Sequence, residues 1–159
     1  MVVAKSELAY RQLQEDFRAR RVKKIYHTLV QGYPEPAQGT IKAPIGRHPS
    51  RDFKMAVVEG GRPAITHYRT LEVLPGASLL EVQLETGRTH QIRVHMQAIG
   101  HCVVGDPIYG PNPQLAKKLG LTRQWLHAVS LSFDHPRTGK RVSFEAPLTP
   151  DLETALQRL

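Results

Sequence analysis

The spacing of apolar residues changes period along the chain, and each change marks an element. Ala9, Leu13 and Phe17, with Tyr10 alongside, recur every three to four residues; Ser6 can cap such a helix and Glu7 suits its positive end, so a helix stopping near Arg20 is predicted. Val22 to Val30 is β-branched, aromatic and closed by Gly32 and Pro34, a strand with Val22, Tyr26, Thr28 and Val30 on one face. Residues 33–52 carry Pro34, Pro36, Pro44 and Pro49 and predict a mobile, turn-rich loop. Phe53–Val58 and Ala64–Leu74 read as two strands joined by a tight turn at Gly60-Gly61, and Leu79–Leu84 as a strand burying Leu80, Val82 and Leu84. After Gly87 the period lengthens to about 3.6: Ile92, Met96 and Ile99 line a helix that Thr86 or Thr89 can cap and Gly100 can stop. Asp106–Gly120 is polar and rich in Pro and Gly. Trp125–Phe133 and Arg141–Phe144 predict a hairpin turning through Asp134–Gly139, and Thr149-Pro150-Asp151 opens a last short helix. The order gives an α+β fold, a mixed sheet with two or three short helices.

At 159 residues the chain is expected to be a single domain, residues 1–159. Its 40% hydrophobic and 23% charged residues exclude a disordered or fibrous protein. Apolar runs break well before the roughly 18 residues of a membrane span, and the first residues lack a secretory layout, so a cytoplasmic address is expected. The lone cysteine, Cys102, excludes an internal disulfide and a cysteine-rich zinc cluster. The charge redirects attention to polyanions: 22 Lys and Arg against 14 Asp and Glu give +8, and residues 18–24 form a basic run, so nucleic acid is the leading partner class.

The densest chemistry is Thr86-Gly87-Arg88-Thr89-His90-Gln91-Ile92-Arg93-Val94-His95-Met96. On a helix Thr89, Arg93 and Gln97 share a face, which would aim the Arg93 fork at a carboxylate or phosphate; alternatively Arg88 and Arg93 are ordinary surface charges. His90 and His95, five apart, diverge around a helix, so no metal is expected. No Gly-x-Ser-x-Gly elbow accompanies the serines and histidines, and Cys102 reads as a buried structural thiol.

The 86–96 segment, with Gly100-His101 and Gly105-Asp106-Pro107-Ile108-Tyr109-Gly110, closely resembles a signature of the pseudouridine synthases that modify large-subunit ribosomal RNA. Lys24-Ile25-Tyr26-His27-Thr28-Leu29-Val30-Gln31-Gly32 resembles the family's tyrosine-bearing strand, and Leu126-His127-Ala128 through Phe144-Glu145-Ala146-Pro147 its C-terminal hairpin. The resemblance implies a mainly antiparallel sheet and a cofactor-free isomerase: an RNA uridine leaves its stack, its N1–C1′ bond breaks, and the base rejoins through C5. It implies that Tyr26 lies against the target base and that Arg93 pairs with a catalytic aspartate and keeps it ionised. Arg20, Arg21, Lys23, Lys24, Arg47, Arg51, Arg88, Thr89 and His90 are the expected RNA contacts. The family's aspartate sits in a His-Arg-Leu-Asp stretch that lies before the strand Met1–Lys5 resembles, and none of Asp16, Asp52, Asp106, Asp134 and Asp151 follows His-Arg-Leu. Asp16 is expected on an exposed helix face and Asp106 in a structural turn. The expectations are therefore a catalytic domain lacking its N-terminal portion, an Arg93 without its carboxylate, and a chain inactive on its own. A fragment is favoured over a shortened gene product or half of a complemented pair; the alternative function is a non-catalytic RNA-binding module.

Overall fold

In the computed structural model, which describes residues 1–110 and 112–159, the elements run α1 (Glu7–Arg18), β1 (Lys23–Gln31), β2 (Gln38–Lys42), β3 (Ile45–His48), β4 (Arg51–Val57), β5 (Ile65–Leu74), β6 (Ala77–Leu84), α2 (Gln91–Ala98), α3 (Gln114–Leu119), β7 (Leu126–Asp134), β8 (Arg141–Glu145) and α4 (Pro150–Gln157). The α+β expectation holds, with four helices described rather than two or three. None of them is long and apolar enough to cross a membrane.

Six strands form one antiparallel sheet in the order β2-β5-β6-β1-β7-β8. Strand β1 lies inside it, and its far end is covered on both faces, which explains why Thr28, Leu29 and Val30 are all buried where simple alternation would expose one of them. Val30, Leu80, Val82 and Leu84 pack against Ile92 and Met96 of α2, while Leu29 packs with Trp125, Leu119, Leu152 and Ala155 beneath α3 and α4. The Trp125 indole N–H donates to the Leu152 carbonyl at 2.9 Å, so α4 is tied to the sheet by a satisfied buried polar group. Ser6 caps α1 as its position predicts, its Oγ accepting from Ala9 N–H.

The structure corrects three of the sequence expectations. Residues 33–52 are not a loop: they contain β2, which edges the main sheet, and β3. Their prolines fall at the joints between short strands, where a missing N–H breaks no ladder bond. Nor do Phe53–Val58 and Ala64–Leu74 form a hairpin; β4 pairs back onto β3 in a separate two-stranded sheet, and β5 lies between β2 and β6. Finally, Asp16 is buried, not exposed. Arg20 takes a left-handed turn (φ 60°) after α1, which brings Arg21 back so that its Nε and Nη2 reach Asp16 Oδ1 at 2.8 and 2.6 Å.

Gly105 carries a steric demand. Its φ is +79°, and a side chain there would drive a Cβ into the Arg123 carbonyl. Gly105→Ala is expected to destabilise the fold by at least about 2 kcal/mol, measured as a fall in the urea midpoint at unchanged slope.

Candidate active site

The site is assembled where β1, the end of β6 and the start of α2 converge. Between β6 and α2 the chain must turn sharply, and Gln91 organises that turn. Its buried amide oxygen accepts from Thr86 Oγ1 at 2.8 Å and Arg88 N–H at 3.0 Å, while its NH2 donates to Ile65 O and Thr66 Oγ1 at 3.0 Å each. With every polar atom of that amide engaged, neither Thr86 nor Thr89 is needed as a cap; His90 enters α2 in the left-handed region at φ 56°. Gln91→Leu removes four hydrogen bonds and leaves the Arg88 N–H and the Thr86 hydroxyl without their acceptor, and we expect a loss of about 2–4 kcal/mol by urea denaturation.

This turn projects Arg88 beside β1. Its Nε donates to the Pro63 carbonyl at 2.9 Å, and with Arg20, Lys24, Tyr26, Arg62 and Glu85 it borders a cleft of about 670 Å³. Tyr26 is half-buried, and burial pushes its phenol above the ordinary value of 10. Burial, aided by the Arg88 charge, lowers the ammonium of half-buried Lys24; burial and the charges of Arg62 and Arg20 lower Arg88 likewise. Lys24, Arg88, Arg62 and Arg20, four cations around one cleft, mark it as a place for a polyanion. Opposite Tyr26 the ladder between β1 and β7 slips from Ile25–Ser130 to Tyr26–Ala128, so an extra residue, Val129, bulges β7 beside the ring. Tyr26 and Lys24 also border a second groove of about 680 Å³, floored by Ala128–Leu131 and edged by Phe17 and exposed Phe144.

Glu85 is the acidic member of the first cleft. The His67 hydrogen bond (2.6 Å) and the Arg20 pair (3.1 Å) hold its carboxyl below the usual range. Among the described residues, no aspartate borders either cavity at Tyr26.

Arg93 departs from expectation. Its carboxylate lies within this chain: Nε and Nη2 grip Asp106 Oδ2 and Oδ1 at 2.7 and 2.8 Å, and both side chains are buried. Asp106 Oδ1 also accepts the N–H groups of Ile108 and Tyr109, and the Arg93 guanidinium lies 4.9 Å from the Tyr109 ring centre. Arg93 borders neither cavity at Tyr26. The correction has a plain cause: the turn at Asp106 folds back onto the face of α2 from which Arg93 projects.

The other residues singled out from sequence divide. Arg20, Lys24 and Arg88 meet at Tyr26, and Lys23 is exposed beside them on β1. Arg21 is committed to Asp16. Arg47 and Arg51 lie on the β3–β4 hairpin, Thr89 is exposed ahead of α2, and His90 Nδ1 lies 2.9 Å from the Tyr109 hydroxyl. That hydroxyl accepts Met55 N–H, leaving its own proton for His90, whose imidazolium is disfavoured by burial and by Arg93. His95 is a core residue between Thr66 Oγ1 and the Ala43 carbonyl. Sequence reasoning missed Arg62; its position after Gly60-Gly61 gave a turn signal but no hint that the turn ends at the cleft.

Comparison with known proteins bears on this geometry. The family described as RNA pseudouridylate synthase matches residues 1–98. An uncharacterized RNA pseudouridine synthase of Mycobacterium tuberculosis is 57% identical over 159 residues, covering all of this chain and 52% of the relative. A ribosomal large subunit pseudouridine synthase D of Nitrosomonas europaea is 47% identical over 163 residues, covering all of this chain and 47% of its own length. The chain thus spans about half the length of these curated relatives. Among solved structures, human RNA pseudouridylate synthase domain containing 4 superposes with a TM-score of 0.80 at 27% identity, covering 99% of this chain and 70% of that one. The match begins at Met1 and takes in the tyrosine strand, the β3–β4 hairpin, the turn at Gln91 and helix α2, and on that agreement of sequence and fold the chain belongs to the RNA pseudouridylate synthase family.

Proposed function

We propose that this chain forms the base-holding part of a uridine-to-pseudouridine isomerase acting on ribosomal RNA, with Tyr26 against the extruded base and Lys24, Arg88 and Arg20 on the flanking phosphates. The observation that carries the reading is the half-buried Tyr26 ring set in one cleft with Lys24, Arg88, Arg20 and Arg62. An extruded base needs an aromatic or apolar wall, and extrusion costs a few kcal/mol that backbone contacts must supply. Arg93 serves as a positioning residue, fixing α2 and the Asp106 turn behind the cleft. Lys23, Arg47, Arg51, Thr89 and His90 belong to the wider RNA surface. Ribosomal RNA is favoured because relatives at 42–48% identity are named for the large ribosomal subunit, and a cytoplasmic address goes with that substrate.

The test is tritium release from ribosomal RNA labelled at uridine C5. The gene product carrying these residues should release tritium and lose that ability with Tyr26→Ala; undiminished release refutes the assignment. The 159 residues alone should release none, since among the described residues no aspartate borders Tyr26 to attack the sugar or base. That same observation favours a second reading, an RNA-binding module without turnover.

Salt dependence tests the surface in either reading. With Arg20, Lys23, Lys24, Arg47, Arg51 and Arg88 on phosphates, log K should fall with log salt at a slope of about −4.2, at roughly 0.7 per contact on a single strand. Arg21→Gln should leave that slope unchanged, because its guanidinium is held by Asp16; Lys24→Gln should reduce it by about 0.7. Filter binding between 50 and 300 mM salt reads both.

A further inference from the structure

The β3–β4 hairpin stands outside the six-stranded sheet. It is held at its root. Ile45 is buried with Val94 and Tyr109, Met55 N–H donates to the Tyr109 hydroxyl, and Lys54 Nζ lies 5.1 Å from the centre of the same ring. Toward the tip the regular pairing fails. Arg47 pairs with Met55, but the next pair is His48 with Arg51, so Asp52, Phe53 and Lys54 lie outside the register. A bulge of this kind re-aims the side chains it carries. Arg47 spans it, its Nη1 donating to the Asp52 carbonyl at 3.2 Å. The outcome is a Phe53 residue 70% exposed, on a segment braced at both ends, with exposed Arg47 and Arg51 on the same hairpin.

The hairpin root also adjoins the cleft. Ile45 and Arg62 exchange both backbone hydrogen bonds, at 3.0 and 2.9 Å, and Arg62 borders the Tyr26 cleft next to Arg88. Lys24, Arg88 and Arg62 border the cleft, and Arg47 and Arg51 lie on the hairpin whose root pairs with Arg62. An RNA strand whose uridine occupies the cleft would be led past these cations to Phe53.

We propose that Phe53 is a stacking platform for an unpaired RNA base a few nucleotides from the one in the cleft, with Arg47 and Arg51 gripping the adjoining phosphates. This rests on the RNA reading of the Tyr26 cleft and adds a second base contact to it. Every base offers a π face, so such a platform holds the strand without selecting a sequence, and the cations around it favour a polyanion over an apolar protein surface.

The experiment measures binding of the 159-residue chain to a single-stranded RNA carrying 2-aminopurine, whose fluorescence falls when it stacks. Phe53→Ala should weaken affinity by about 5- to 100-fold and abolish the quenching, with the salt slope and melting temperature unchanged. Phe53→Trp should keep both, whereas Phe53→Leu, apolar but without a π face, should behave like Phe53→Ala. Arg47→Gln and Arg51→Gln should each take about 0.7 from the salt slope. Wild-type affinity in Phe53→Ala or Phe53→Leu overturns the platform while leaving the cleft reading intact. Loss of self-association in Phe53→Ala, with RNA affinity unchanged, overturns it in favour of a protein contact. Failure of the wild-type chain to retain RNA at low salt brings down both.

Discussion

Asp106→Ala should cost the fold about 3–5 kcal/mol, more than any other single substitution considered for this chain. The magnitude comes from what the change strands. Arg93 would remain buried without a counter-ion, and the N–H groups of Ile108 and Tyr109 would lose the acceptor that shapes the turn. Arg93→Leu combined with Asp106→Leu should recover part of the loss, because removing both charges avoids leaving one alone in the interior. The pair also sets an acid limit. Burial works against ionisation of Asp106, but hydrogen bonds from Arg93, Tyr109 N–H and Ile108 N–H prevail and hold its carboxyl below the ordinary 3.8. A carboxyl whose folded value is depressed lends stability that is complete above its unfolded value and is lost as pH falls through the folded one. The wild-type chain should therefore lose stability below about pH 4 more steeply than Asp106→Asn does. Urea midpoints at pH 7, 4 and 3 measure all three variants, and a wild-type curve parallel to that of Asp106→Asn would refute the account.

The second large effect is functional. In the isomerisation assay Tyr26→Ala should lower kcat by about 100-fold or more, since the base would lose both its wall and the nearby phenol. Tyr26→Phe separates those contributions. RNA affinity should survive, because the ring remains, and any fall in kcat then belongs to the hydroxyl. Burial raises the phenol above its ordinary value, so any alkaline limb from its ionisation should lie at higher pH than that of a free phenol. An alkaline loss near pH 8 that disappears in Tyr26→Phe would contradict the assigned environment.

Much of this was legible because period and function coincide. Tyr26 sits on a strand that its β-branched and aromatic residues and the closing Gly32 and Pro34 make plain, even though its burial does not alternate, and Ile92, Met96 and Gly100 mark α2. What could not be read depends on contacts distant in sequence. The prolines between residues 34 and 49 looked like a loop because each short strand among them, four or five residues long, shows too few alternations to declare itself. The six residues of α3 lie between Pro113 and Gly120 in a stretch dominated by turn formers. Asp106 announced its turn through the proline after it, but nothing in the spacing revealed that Arg93, thirteen residues earlier, would fold onto it. The basic run 18–24 looked uniform, yet one left-handed residue, Arg20, sends Arg21 to Asp16 and leaves Lys24 at the cleft.

The hairpin that carries Phe53 leaves and rejoins the body at neighbouring points, Ala43 N–H donating to the Ala64 carbonyl at 3.2 Å. Its two legs are thus closed at the base like a loop of rope drawn through a ring. Residues can be added or removed beyond Arg47 and Met55 without the main sheet registering the change, whereas Ile45 and Met55, seated against Tyr109, fix the direction in which any such extension points. Lengthening or shortening the tip should change how far Phe53 reaches and leave the direction it faces unchanged.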